Sequence, residues 1–488
     1  MRRMNRLRSP GVLVSLAALF AGCSTTITEP GVARSVAPAP GRSWQPPADA
    51  TPPAPPAAKE KESGIPPEYL KEGATLSLGQ VVDLALRNNP ATRQAWFDAR
   101  AAAAELGSKY SAWYPSLELD AQIQRQKQTA VGGQFTFQQT TYGPTLSFNY
   151  LLLDFGGRSA NIEEARRALF AADFAHNAVI QDLVLFVSSE YYQYLNAKAQ
   201  RAAAQASLKQ AREALAAADG RHQSGVATIA DVLQAKTAAS QAELVLQTAE
   251  GQAQVIRGSL ATALGVPATI PVEAGELPET VDVDRAIDTV EALIVSAETQ
   301  RPDLASARSL ALKAAAHVRS VQSEGLPVLL AIGSLNRTYF YNNAPRAPFA
   351  DNYSGTVLFR FPVFSGFNKV FETRKAAEEA ASAASAAETL NDRVILQVWT
   401  SYYAVKTASA LVKTSRDLLA SATQSQDVAL GRYKEGVGSI LDLLAAQSAY
   451  ANARSQEAQA RASWFLALAQ LAHDTGSLGS APETERKP

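Results

Sequence analysis

The chain states one fourteen-residue phrase twice: "GRHQSGVATIADVL", Gly220 to Leu233, returns 211 residues later as "GRYKEGVGSILDLL", Gly431 to Leu444. Other anchors keep nearly the same spacing, pairing Pro90 with Pro302, Pro115 with Pro327, and the tyrosines Tyr191 and Tyr192 with Tyr402 and Tyr403. A near-constant offset over so many anchors indicates a duplicated unit with a period far too long for a solenoid. Whatever this chain folds into, it builds the same structure twice.

Each copy reads as helix, two strands, long helix, turn, shorter helix. The first helix, roughly Ser77 to Tyr110 and again Val290 to Glu324, stops ahead of a proline that a helix interior tolerates poorly. Strands are predicted at about 117–128 and 142–154, and again at 328–341 and 353–364. In "LELDAQIQ" Leu117, Leu119, Ala121 and Ile123 alternate with Glu118, Asp120, Gln122 and Gln124, and "TLSFNYLL" and "TVLFRFPVF" alternate likewise. Strands of about ten residues with one apolar and one polar face fit a transmembrane barrel, and equally a half-buried sheet in a soluble protein. Tyr142, Tyr339, Phe340, Tyr341, Phe349 and Tyr353 cluster near strand ends as an interfacial girdle does. The connections "RQKQTAVGGQFTFQQT" and "NNAPRAPFADN" read as polar loops.

The next segments are the longest. From Arg158 to Gln223 there is no proline, and an unbroken helix of that length reaches roughly 100 Å; its twin runs from about Phe367 to Glu435. Both are rich in Ala, Gln, Ser and Leu, so neighbouring helices can approach closely. Such helices exceed a single globular core and must lie against other helices.

The N-terminus has the build of an export signal, residues 1–22, with Arg2, Arg3, Arg6 and Arg8 ahead of a short apolar run. It ends at Cys23, the only cysteine, in a setting that resembles a bacterial lipobox, which implies lipidation of that thiol. Ser24 follows, which by the same resemblance points to the outer membrane. Residues 23–75 form a Pro- and Ala-rich tether. The first repeat then occupies 76–270, a linker 271–289, the second repeat 290–475 and a polar tail 476–488.

Several function classes drop out. Basic and acidic residues balance at 46 each, which leaves no positive excess to neutralise nucleic-acid phosphates. His176, His222, His317 and His473 are scattered, with no HExxH, Walker loop or cysteine pair, so they are expected on helix surfaces rather than around a metal. No catalytic constellation and no cofactor site is legible. The paired tyrosines are expected to serve packing.

Helix geometry explains much of the repeated phrase. Gly225 ends one helix, Thr228 caps the next, and Asp231 completes a capping-box spacing; Gly436, Ser439 and Asp442 repeat the arrangement.

Four spanning strands cannot close a barrel, since known ones need about eight, so other subunits must supply strands. The two copies of helix, hairpin and helical pair, the phrase "LLLDFGGR" at Leu151 to Arg158, and the opening twins together resemble the TolC-like outer-membrane factor (outer membrane efflux protein) family, lipoprotein branch, from about Leu76 to His473. The resemblance implies a mainly α fold with β, in a homotrimer whose twelve-stranded outer-membrane barrel continues into a helical periplasmic tunnel. It also implies passive conduction in a tripartite exporter, with a periplasmic adaptor and an inner-membrane transporter as partners. Gly225, Val226, Ala227 and Thr228, with Gly436, Val437, Gly438 and Ser439, match the adaptor-contacting tip. Asp231 and Asp442 match positions at the closed entrance, and Tyr433 matches a tyrosine that helps hold it shut. Gly438 and Ala445 stand where some members carry a latch arginine and a second pore aspartate. Whether the aspartates only cap or also guard the pore stays open. The rival from another class is a non-conducting coiled-coil lipoprotein of the envelope.

Overall fold

The computed structural model describes residues 39–42, 75–130, 132–283, 288–341 and 349–478, so the signal segment, Cys23, and most of the tether and tail lie outside the described residues. The first repeat comprises α1 (Leu78–Asn88), α2 (Pro90–Tyr110), β1 (Ser116–Ala130), β2 (Phe135–Leu153), α3 (Gly157–Gln223) and α4 (Ile229–Ala263). The second comprises α5 (Val290–Gln300), α6 (Pro302–Ser323), β3 (Val328–Tyr341), β4 (Phe349–Arg360), α7 (Asn368–Lys434) and α8 (Ile440–Asp474).

Each expected first helix is in fact two. Asn89 and Arg301 are extended, and Pro90 and Pro302 open new helices rather than lying beyond old ones. The physical cause is the residue before proline, which is driven out of the α region while proline itself suits the first helical turn. Both joints are local, and the chain reaches the strands as anticipated.

The four strands form one antiparallel sheet in the order β1-β2-β3-β4. β3 has the expected limits, but β1 and β2 run on into the stretch read as a loop, leaving only 131–134 between them. Backbone pairing needs no apolar side chains, and Thr129 and Thr136 are hydrogen-bonded across the extension at 3.2 Å. β4 runs from Phe349 to Arg360 instead of 353–364, stopping short of Pro362, which has no N–H to give a ladder.

Register sorts the two faces. One row crosses the sheet as Asp120, Thr145, Asn336 and Asn352, with Asn336 donating to Thr145 at 3.0 Å. The opposite face carries Leu119, Leu146, Leu335 and Tyr353 in the adjacent row, and the row Ile123, Tyr142, Tyr339, Phe349 near its outer end. Tyr142 and Tyr339 stack with centroids 5.3 Å apart, as an aromatic girdle does. Leu119, Ile123 and Tyr353 are strongly exposed, so the apolar face has no protein cover within the protomer.

At the return from sheet to helix, Arg158 gathers the chain. Its guanidinium donates to the carbonyls of Ala112, Leu151 and Leu152, pairs with Asp154, and lies 4.2 Å over the Trp113 ring. The second repeat has Lys369 there, bridging Glu324.

α3 is the central helix, packing against α1, α2, α4, α6 and α8, whereas α7 packs on α5, α6 and α8. Both have 67 residues, yet 24 are buried in α3 and 11 in α7. One flank of α7 is therefore open. The main core joins α1, the middle of α3 and the end of α4 around Val187, Leu195, Leu260 and Leu264; there Tyr191 is buried and donates to the Leu76 carbonyl at 3.2 Å, the packing role expected of it.

Candidate functional site

The two repeated phrases fold as the turns between α3 and α4 and between α7 and α8. In the first, Gly225 (φ 78°) donates to the His222 carbonyl and Val226 to the Arg221 carbonyl, at 2.9 and 3.0 Å. In the second, Gly436 (φ 78°) donates to Tyr433 and Val437 to Arg432, at 3.1 and 3.0 Å. Both are Schellman closures, in which a left-handed residue satisfies the helix's last carbonyls and a side chain at that position is strained.

The next helix starts at once. Thr228 Oγ1 accepts from the Asp231 N–H at 3.3 Å while Asp231 Oδ2 accepts from the Thr228 N–H at 2.9 Å. Ser439 and Asp442 repeat the box at 3.1 and 3.3 Å. Both aspartates thus cap, with one carboxylate oxygen engaged; Asp231 is half-buried and Asp442 is exposed. Val226 and Val437 project from the turns with 76% and 67% of their surface exposed. Ala227 and Gly438 are half-buried beneath them.

Tyr433 sits apart from the caps. It is buried with Ala214, Ile440 and Leu443, where the tip of the second hairpin meets α3. The Arg221 guanidinium lies 4.2 Å over its ring and donates through Nη2 to the carbonyls of Tyr433 and Lys434, the latter at 3.1 Å. A cation over an aromatic face, also bonded to carbonyls at the negative end of a helix, gains from the ring quadrupole and the helix dipole together. Among the described residues neither Asp231 nor Asp442 is bonded to Tyr433. Sequence reasoning passed over Arg221, although the "GR" that opens both phrases was the available signal.

Two histidines depart from the expected helix surface. His176 is fully buried, with Nε2 2.9 Å from the Pro40 carbonyl, and burial pushes its pKa down. His473 bridges Asp182 at 2.8 Å and Asp474 at 3.1 Å; burial opposes its charge, but the two carboxylates prevail and raise its pKa to about 9. Helical spacing alone could not show that the segment at Pro40 covers His176 and that α3 meets His473 through Asp182. Among the described residues no group of three His, Cys, Asp or Glu side chains could hold a metal ion.

Comparison with known proteins places these features. The family model described as "Outer membrane efflux protein" matches residues 81–266 and 293–477. The chain is 30% identical over 390 residues to Protein CyaE of Bordetella pertussis, covering 78% of this chain and 80% of that protein. It is 26% identical over 376 residues to outer membrane protein OprJ of Pseudomonas aeruginosa, covering 76% and 78%. Among solved structures, the outer membrane protein VceC of Vibrio cholerae superposes with a TM-score of 0.71 at 19% identity, covering 82% of this chain and 96% of that one.

Proposed function

Because this chain belongs to the outer membrane efflux protein family and is an outer-membrane channel with a helical periplasmic part, we propose that it works as a homotrimer in a tripartite exporter. The observation that carries the trimer is the sheet with two free edges: β1 and β4 each pair on one side only among the described residues. Unpaired strand edges in lipid cost several kcal/mol per backbone group, so β4 of one copy must pair with β1 of the next. Three copies give a twelve-stranded barrel with the Leu119 face toward lipid and the Asp120 face toward water.

In this reading α3, α4, α7 and α8 form the tunnel wall, and the turns lie at its periplasmic end. Val226 and Val437, with the short residues around them, are the knobs that meet the periplasmic adaptor, behind which an inner-membrane transporter supplies the energy. Asp231 and Asp442 add negative potential to the entrance while capping their helices. Cys23 carries lipid after removal of residues 1–22, and residues 23–75 tether that anchor to the first repeat, with residues 271–289 linking it to the second. A relative's name assigns pyoverdine export to that protein; a passive duct leaves the choice of cargo to the pump.

Reconstitution of the purified protein in a planar bilayer, with its mass in detergent measured alongside, tests the reading. Discrete conductance steps from a trimer are expected. A stable monomer without conductance overturns it in favour of a structural lipoprotein.

A further inference from the structure

Between the two apolar rows on the Leu119 face of the sheet lies a row of different make. Ala121, Pro144, Arg337 and Asp351 stand in line there, flanked by the Leu119 row on one side and by the Tyr142 row on the other. Pro144 comes opposite Arg337 because Tyr142 pairs with Tyr339 and Thr145 with Asn336. Alternation along β1 puts Arg125 and Lys127 on the same face beyond the aromatic row, and both are exposed. They lie toward the β1–β2 connection, at the end of the sheet away from α3 and α7. Among the described residues of this face, three cations thus stand against the single carboxylate of Asp351.

Arg337 is oriented by its partners without being used up by them. Its Nε donates to Asp351 Oδ1 at 2.6 Å and its Nη2 to Oδ2 at 2.8 Å, and the guanidinium lies 4.7 Å over the Phe349 ring. These bonds take two of the five N–H donors of a guanidinium, so another acceptor can be held on its remaining edge. The two side chains keep 48% and 58% of their surface exposed. Ala121 and Pro144, also exposed, are short beside the rows that flank them, so the row forms a shallow notch that ends at the cation. Its depth suits a charge. Arg337 is eight residues along β3 from Leu329, about 26 Å of strand and about 20 Å of membrane depth at a tilt near 40°. An apolar band about 25 Å tall therefore ends close to Arg337, at the level of the outer headgroups.

We propose that this notch seats a phosphorylated lipid of the outer leaflet, one per subunit. The acyl chains lie along the Leu119 row, a phosphate takes the free edge of Arg337, and Arg125 and Lys127 receive phosphate beyond the aromatic row. Sheet spacing puts Arg337 and Arg125 roughly 16 Å apart at Cα, a gap that long side chains narrow, so a head with two phosphates fits better than a head with one. Asp351 fixes the plane of the guanidinium, which is what a bidentate grip on phosphate needs. The inference rests on the barrel reading, since it requires the Leu119 face to meet lipid.

Lipid A carrying both phosphates, added to the delipidated full-length trimer and followed by native mass spectrometry, tests this. Up to one lipid per subunit is expected, and lipid A stripped of both phosphates should bind at least about tenfold more weakly. Arg337→Gln should weaken binding about tenfold, the factor for losing one charge-assisted contact. Arg125→Gln with Lys127→Gln lies outside the Arg337–Asp351 pair and should do the same, which keeps the test open if Arg337→Gln fails to assemble. Equal binding of the two forms of lipid A, or variants that bind as wild type does, overturns the proposal. Release of the lipid by millimolar inorganic phosphate overturns it as well, since a free anion would then be the ligand. A preparation with no trimer before lipid is added overturns the barrel reading instead.

Discussion

Gly265 and Gly476 occupy equivalent places in the two repeats, with φ of 76° and 77°, and each is pressed against the helix joint of its own repeat. A β-carbon on Gly265 would lie 2.9 Å from the Asn88 carbonyl carbon, and one on Gly476 would lie 2.8 Å from that of Gln300. The joints answer in kind, since Asn89 donates to the Ala263 carbonyl at 3.3 Å and Arg301 to the Asp474 carbonyl at 3.4 Å. Each repeat therefore clips the end of its last helix to its first joint.

Gly225 and Gly436 share this backbone conformation, with φ of 78°, but have nothing within 4 Å of a built β-carbon. Alanine there costs only the left-handed strain, about 1 kcal/mol. At Gly265 or Gly476 a backbone collision adds about 1–3 kcal/mol more. Urea denaturation in detergent should rank both joint variants well below both turn variants; equal losses at all four would mean that space at the joints decides nothing.

The aspartates of the turns have two separable duties. Asp231→Asn with Asp442→Asn keeps an acceptor for the cap but removes the charge, so stability should fall by less than about 1 kcal/mol per site. Asp231→Ala with Asp442→Ala removes both. If the carboxylates add potential at the entrance, both double variants should show a reduced cation preference in single-channel reversal potentials, and only the alanine form a clear stability loss. Unaltered selectivity in both would confine the aspartates to capping.

Much of this was legible because it rests on local rules. β3 has its expected limits although Val328 to Tyr341 alternates less cleanly than the other strands, and absence of proline foretold two 67-residue helices to within a residue or so at each end. The capping boxes followed from spacing alone. The breaks at Asn89 and Arg301 were legible in principle, since a residue before proline leaves the α region. Arg221 over Tyr433 was not, because it joins residues 212 apart and depends on how two hairpins pack. The burial of His176 under the segment at Pro40 had no periodic signal at all.

Arg158 and Lys369 stand at equivalent points between sheet and helix but should differ sharply in worth. Arg158 is buried, and its substitution by alanine removes the cation paired with Asp154 and the donors to the carbonyls of Ala112, Leu151 and Leu152, a loss of about 3–5 kcal/mol. Lysine cannot restore a planar fork that serves several acceptors while stacking on Trp113, so Arg158→Lys should recover little. Lys369→Ala breaks a partly exposed pair with Glu324 and should cost under about 1 kcal/mol. Thermal dissociation of the trimer on gels reads all three; a lysine at 158 that behaves as wild type would reduce the arginine's role to its charge.

The last relationship sets a pH dependence. His473 binds Asp182 on α3 and its chain neighbour Asp474, while Asp303, paired with Arg301, adds a further carboxylate nearby. Its folded-state pKa, about 9 against 6.5 for the free side chain, is raised, so its stabilisation is fully present below pH 6.5 and is lost as pH rises toward 9. The tie between the end of α8 and the middle of α3 should therefore weaken across that window. His473→Gln should flatten the decline in melting temperature from about pH 6.5 to 9, being less stable than wild type at the acid end and converging with it at the alkaline end. Asp182→Asn should do the same to a smaller degree, because Asp474 still holds the other ring nitrogen. Parallel melting curves for wild type and His473→Gln across the whole window would mean that the imidazole carries no extra proton in the folded chain.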